Sequence, residues 1–150
     1  MAGMTIPLFL IPIVAALVAQ GLKPVFSKAW RNDQATQLDP RPRYGGMPSA
    51  HAAFASSLSL TVAVTEGTSS AAFAIATVIL ILVLDDALRL RIFLGRYGLA
   101  ILRLLEHTPA AGRDLPPIEW RMGHTTTEVI GGIIVGVLCT VLVIALDTGV

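Results

Sequence analysis

An all-α bundle of membrane-spanning helices is the fold class this chain predicts, and three observations predict it. Hydrophobic residues make up 54% of the 150 and charged residues only 14%, where a soluble domain carries about 25% charge. Mean hydropathy is +0.72. The apolar residues are gathered into four long runs, Thr5–Leu22, Pro48–Thr65, Ala71–Leu84 and Thr125–Leu146. The length suits a single domain over residues 1–150. A net charge of +1 gives no basic field for nucleic acid. Cys139 is the one cysteine, so there is no disulfide framework.

Thr5–Leu22 has 18 residues and no charge, which meets the roughly 17–25 residues a spanning helix needs. Met1–Thr5 lacks the basic stretch of a secretory signal, so this run is expected to be retained as a span. Pro7 and Pro12 lie inside it, which membrane helices tolerate. Lys23–Gly46 is polar and basic and is expected to lie outside the membrane. Pro48–Thr65 is rich in Ala and Ser; small side chains let helix backbones approach closely, so this helix is expected in the interior. Ala71–Leu84 is the third span, ended by Asp85 and Asp86. Ile92–Leu105 has 14 residues interrupted by Arg96 and Arg103, too short to cross, and reads as an interfacial or re-entrant helix. Glu106–Gly123 contains Pro109, Pro116 and Pro117 and reads as a loop. Thr125–Leu146 is the strongest span, and its Gly132 and Gly136 form a G-x-x-x-G for close packing, compatible with a homo-oligomer.

Charge gives the chain a sidedness. All eleven Lys and Arg lie in Lys23–Arg43 and Arg89–Arg121. Four crossings place both segments on one side, which the positive-inside rule makes cytoplasmic. A phosphate site would also gather cations on its own side.

Three segments on that side hold chemistry. Gly45-Gly46-Met47-Pro48-Ser49-Ala50-His51 opens a helix; proline suits a first helical turn, and the unpaired N–H groups of a helix N-terminus bind phosphate. An ordinary capped helix with a surface histidine has the same pattern. His124-Thr125-Thr126-Thr127-Glu128 opens the last span. His124 and Glu128 stand four apart on one helical face, so a carboxylate can hold one ring nitrogen and leave the other as a nucleophile. A helix start with an acid in its first turn accounts equally well for that spacing. Asp85-Asp86-Ala87-Leu88-Arg89-Leu90-Arg91 leaves the third span, and its arginines either bind phosphate or flank the membrane. Two histidines, two helix N-termini, Ser49, Lys23 and several arginines on one face amount to the equipment of phosphoryl transfer.

Gly46-Met47-Pro48-Ser49-Ala50-His51 followed by Gly123-His124-Thr125-x-x-Glu128-Val129 resembles the divergent branch of the type-2 phosphatidic acid phosphatases, relatives of the vanadium haloperoxidases. The resemblance extends to Ala19-Gln20-x-x-Lys23-Pro24 and to Asp86-Ala87 with Arg91 and Gly95, and covers about Ala19 to Gly136. It implies that His124 is the nucleophile forming a phosphohistidine, that Glu128 orients it where the wider superfamily has Asp, and that His51 is the general acid. It also implies phosphate ligands in Ser49, the backbone amide of Gly46, Lys23 and Arg91, with Asp86 and Arg121 in the same site. No metal and no cofactor are implied, because cations and helix ends supply the positive charge. The superfamily's first motif is Lys, six residues, then Arg-Pro; Arg41-Pro42 is present but Gln34 holds the lysine's place, so the role passes to Lys23. Its Ser-Arg, six residues before the nucleophile, is absent, with Ile118 at that position, and Arg91 or Arg121 must substitute. His107 imitates the histidine motif but has Ala111 one turn on, so it reads as a loop histidine.

The resemblance therefore implies a metal-independent phosphatase of a membrane lipid phosphate: phosphatidylglycerophosphate, phosphatidate or polyprenyl diphosphate. Its partners are the lipid bilayer and the lipid phosphate substrate, with no nucleic acid. A phospholipid-binding or transport protein that keeps the phosphate pocket without turnover is the alternative, and an assembly factor packed through its small residues is a third.

Overall fold

The computed structural model describes residues 6–30, 46–106 and 124–148, and every regular element among them is helical. The helices are α1 (Leu10–Trp30), α2 (Ala50–Glu66), α3 (Ala71–Asp85), α4 (Arg91–Glu106) and α5 (Thr126–Thr148), with a π-helical turn, Asp86–Leu90, between α3 and α4.

α2 is the centre of the bundle. It packs on α1, α3 and α5, and α1 also meets α5. Ala52, Ala53, Ala55, Ser56, Ser57, Ser59 and Thr61 are all buried, which is the interior helix the small residues predict. Two of its buried serine hydroxyls are satisfied, one locally and one across the interface, whereas the buried Thr61 Oγ1 has no partner among the described residues. Ser56 Oγ donates to the Ala52 carbonyl at 2.7 Å, and Ser57 Oγ pairs with Thr140 Oγ1 of α5 at 2.7 Å. The second contact is the polar glue by which membrane helices associate when lipid removes the hydrophobic drive.

The G-x-x-x-G of α5 faces α2. A Cβ built on Gly132 would collide with the Ser49 carbonyl and stand 2.9 Å from the Ala52 Cβ; one on Gly136 would collide with the Ala53 carbonyl and the Ser56 hydroxyl. The two backbones touch here because neither glycine carries a side chain. The close packing read from the sequence is thus used within the chain.

Two boundaries differ from the sequence reading. α1 begins at Leu10 rather than Thr5 and runs on to Trp30, so Lys23 and Pro24 continue the helix past the expected end at Leu22. The cause is the buried stripe of Ile11, Ala15 and Ala19, which repeats every four residues and continues through half-buried Leu22 and Lys23. The expected separate helix at Ile92–Leu105 is instead the continuation of α3. Ala71–Leu105 is one helical run of 35 residues, since Asp85 to Arg91 contains no Gly or Pro to break it.

Ala71–Leu105 and Thr126–Asp147 are long and apolar enough to cross a membrane. Only 11% and 28% of their most apolar windows are buried inside the protein, so their side chains are not those of a soluble core. Leu10–Phe26 is apolar but shorter, and α2 has 17 residues. Two of the four expected crossings therefore meet the requirement by their own length and composition.

Candidate functional site

The site forms where the two helix N-termini meet. Thr125, Thr126, Thr127 and Glu128 make a reciprocal cap on α5. The Thr125 N–H donates to Glu128 Oε2 at 2.9 Å, and the Glu128 N–H donates to Thr125 Oγ1 at 3.3 Å. This is a capping box, and it holds the carboxylate beneath the preceding residue. That residue is His124, whose Nδ1 lies 3.1 Å from the same Oε2. An ionised carboxylate can only accept, so Nδ1 carries a proton, and in the neutral ring Nε2 keeps its lone pair. The imidazole is buried, with 5% of its side chain exposed, against 21% for Glu128. The orientation of the His124 ring follows from four consecutive residues and one helix start.

The neighbouring elements lock this arrangement. The His124 N–H donates to the Ala87 carbonyl at 3.2 Å. Ala87 lies in the π-helical turn, whose wider winding frees a backbone carbonyl for an outside donor. Ala87, Ala52 and Val129 form one buried apolar cluster, flanked by Leu84, Leu88 and Ile133. On the α2 side, the Ser49 N–H donates to the Glu128 backbone carbonyl at 2.9 Å. Three separate segments, 46–52, 86–87 and 124–129, are thereby fixed around His124.

Ser49 is the N-cap of α2, and its Oγ accepts from the Ala52 N–H at 3.4 Å. Pro48 stands one residue ahead of that cap rather than inside the first turn, across a cis Met47–Pro48 bond. Ser49 is fully buried, so its evident structural task is capping and bracing. Gly46 has φ of +98°, a left-handed conformation in which a side chain is strained. That turn brings the Gly46 backbone amide toward the Glu128 carboxylate. His51 is exposed in the first turn of α2.

Lys23 approaches from α1. Its Cδ stands 4.0 Å from where a Gly46 Cβ would be. Its ammonium and the Glu128 carboxylate interact electrostatically. Lys23 therefore lies within electrostatic reach of the His124–Glu128 pair. Asp86 opens the π-helical turn, half-buried and adjacent to Ala87. Arg121, His107, Ile118, Gln34 and Arg41–Pro42 lie outside the described residues, as does the side chain of Arg91.

Sequence reasoning missed two contributors. The Thr125-x-x-Glu128 pattern is itself the signature of a capping box, and it shows that Glu128 serves the helix as well as the histidine. The Ala87 carbonyl has no such signature, because a π turn is set by packing.

Chemically, a buried imidazole with Nδ1 held by a carboxylate has Nε2 available as a nucleophile whenever the ring is neutral. Two helix N-termini and a lysine around it suit an anion with several oxygens. No curated protein and no solved structure matches the chain. A family model described as the Divergent PAP2 family matches residues 4–139. The match takes in every segment that meets at His124, and the chain belongs to the divergent PAP2 family.

Proposed function

We propose that the chain is a lipid-phosphate phosphatase that works through a phosphohistidine on His124. The observation that carries this reading is the Nδ1–Glu128 contact of 3.1 Å on a buried imidazole. A pocket that only bound phosphate would need cations and amides but no oriented nucleophile. His124 Nε2 attacks phosphorus, the bond from phosphorus to the lipid oxygen breaks, and His51 donates the proton that the leaving oxygen takes. Water, deprotonated by His51, then attacks the phosphohistidine and releases inorganic phosphate. Glu128 stabilises the imidazolium-like ring throughout. Lys23, Arg91 and Arg121 hold the phosphoryl oxygens, with Asp86 in the same site, while Ser49 and the Gly46 amide brace the Glu128 end of it; this positive charge makes a metal unnecessary. Four crossings, with α1 and α2 completing the pair that qualifies by length, put all eleven Lys and Arg and the site on the cytoplasmic side.

The test is phosphate release by the detergent-solubilised protein from phosphatidylglycerophosphate, phosphatidate and polyprenyl diphosphate. Release from any one of them supports the reading and names the substrate. Binding of all three without release would leave a phospholipid-binding or transport protein.

Substitution at Glu128 separates its two tasks. Glu128→Gln keeps an oxygen for the Thr125 N–H, and glutamine is an accepted capping-box residue. It loses the charge, so the one oxygen that meets both the Thr125 N–H and His124 Nδ1 holds the ring more weakly. We expect thermal stability near wild type and turnover reduced at least tenfold. Glu128→Ala also removes the acceptor of the Thr125 N–H while leaving the Thr125 side-chain cap, so its melting temperature falls too. Wild-type turnover in the glutamine variant would show that the carboxylate only caps the helix.

A further inference from the structure

We propose that the Arg96–Arg103 face of α4 is a binding surface for anionic phospholipid headgroups, separate from the site at His124. The first argument is length. The run Ala71–Leu105 has 35 residues, about 52 Å at 1.5 Å per residue, against a hydrocarbon layer of about 30 Å. Tilted even 40°, it still spans about 40 Å. One end must therefore leave the hydrocarbon. α3 carries no charge before Asp85, whereas the π turn and α4 carry Arg89, Arg91, Arg96 and Arg103. The α4 end is the one that leaves.

The second argument is the placement of charge. Arg96 and Arg103 are seven residues apart, two helical turns, and so lie on one stripe; both are exposed. Neither forms a salt bridge among the described residues, whereas Arg89 is paired with Asp85 at 3.3 Å. The flanking residues are apolar and exposed: Phe93 is 48% exposed, Tyr97 65%, Ile101 48% and Leu104 70%. The Arg96 guanidinium sits 5.6 Å from the centre of the Phe93 ring. Aromatic rings beside exposed arginines on an apolar helix match the headgroup level of a bilayer, where rings lie at the interface and guanidinium groups meet phosphate. Charge complementarity selects anionic over zwitterionic lipid, because only the former has net negative charge to offer. This surface would concentrate anionic lipid beside the end of the π turn, whether or not the chain turns it over.

The experiment uses the full chain reconstituted in phosphatidylcholine vesicles containing a minor fraction of photoactivatable phosphatidylglycerol, with photoactivatable phosphatidylcholine as the reference. Captured lipid is read on the α4 peptide by mass spectrometry. Preference for phosphatidylglycerol is expected in the wild type and should weaken as salt rises. In R96Q/R103Q the preference should fall about fivefold or more, since each cation near an anionic surface changes occupancy roughly fivefold. R96K/R103K should keep most of it. Equal capture of the two lipids by the wild type, or an unchanged preference in R96Q/R103Q, would overturn the proposal. The wild-type salt series decides it even where the glutamine variant does not fold. Capture needs no turnover, so an inactive enzyme that still prefers phosphatidylglycerol would refute the phosphatase reading and leave this one standing.

Discussion

Replacing His124 with alanine should abolish phosphate release. Loss of a covalent nucleophile is on the order of 10⁶-fold in turnover, because the remaining groups can position and neutralise phosphate but cannot form the new bond to phosphorus. The substitution removes the ring but not the backbone bond from the His124 N–H to the Ala87 carbonyl. The cap on α5 also survives, since it is made by Thr125 and Glu128. Helix content by circular dichroism and the melting temperature should therefore stay close to wild type. An inactive protein that is still folded is the expected result. Full activity would remove His124 from the mechanism.

His51→Ala should slow turnover by about 10²–10⁴-fold, the usual contribution of a general acid, and the loss should depend on the leaving group. A lipid alkoxide leaves poorly without a proton, whereas a nitrophenolate leaves readily without one. The variant should therefore retain more activity toward nitrophenyl phosphate than toward the lipid substrate. His51 suits this role because it is exposed in the first turn of α2, while the elements around His124 bury that ring. Its helix is tied to Glu128 through the Ser49 N–H, so α2 brings its own N-terminus to the nucleophile. Equal losses on both substrates would make His51 a phosphate ligand rather than an acid.

Much of this was legible in the sequence, and for identifiable reasons. The interior position of α2 could be read because Ala and Ser at Ala52, Ala53, Ala55, Ser56 and Ser57 have no reason to face lipid in such density. The packing of α5 could be read from Gly132 and Gly136 for a similar reason: a bare backbone in a membrane helix invites another backbone. The His124–Glu128 contact followed from spacing alone, since residues four apart on a helix are neighbours. The join between α3 and α4 was not legible. Charges at Asp85, Asp86, Arg89 and Arg91 look like the end of a span, but a charge changes a helix's surroundings without breaking its hydrogen bonds. The extent of α1 was missed because Pro24 and Lys23 look like an exit. The buried stripe reaches only half-buried Lys23, and beyond it Pro24, Val25 and Phe26 continue the helix exposed. Ala87 was invisible as a contributor, since a backbone carbonyl exposed by a π turn belongs to the fold and not to the residue type.

The chemistry and the fold meet at one ring. The same four residues that start α5 also hold the imidazole, so a mutation that disturbs the helix start is expected to disturb the ring as well. That coupling explains why the capping residue Thr125 and the braces at Ser49 and Ala87 surround the histidine so closely.

Trapping the phosphoenzyme tests the central claim most directly. The wild-type protein is mixed with lipid substrate carrying labelled phosphate, quenched in alkali, which preserves phosphohistidine, and mapped by mass spectrometry. The label should sit on His124, turn over on chasing with unlabelled substrate, and be absent from His124→Ala. Label on His51 would reverse the two roles, and rapid phosphate release with no label on any histidine would contradict the mechanism.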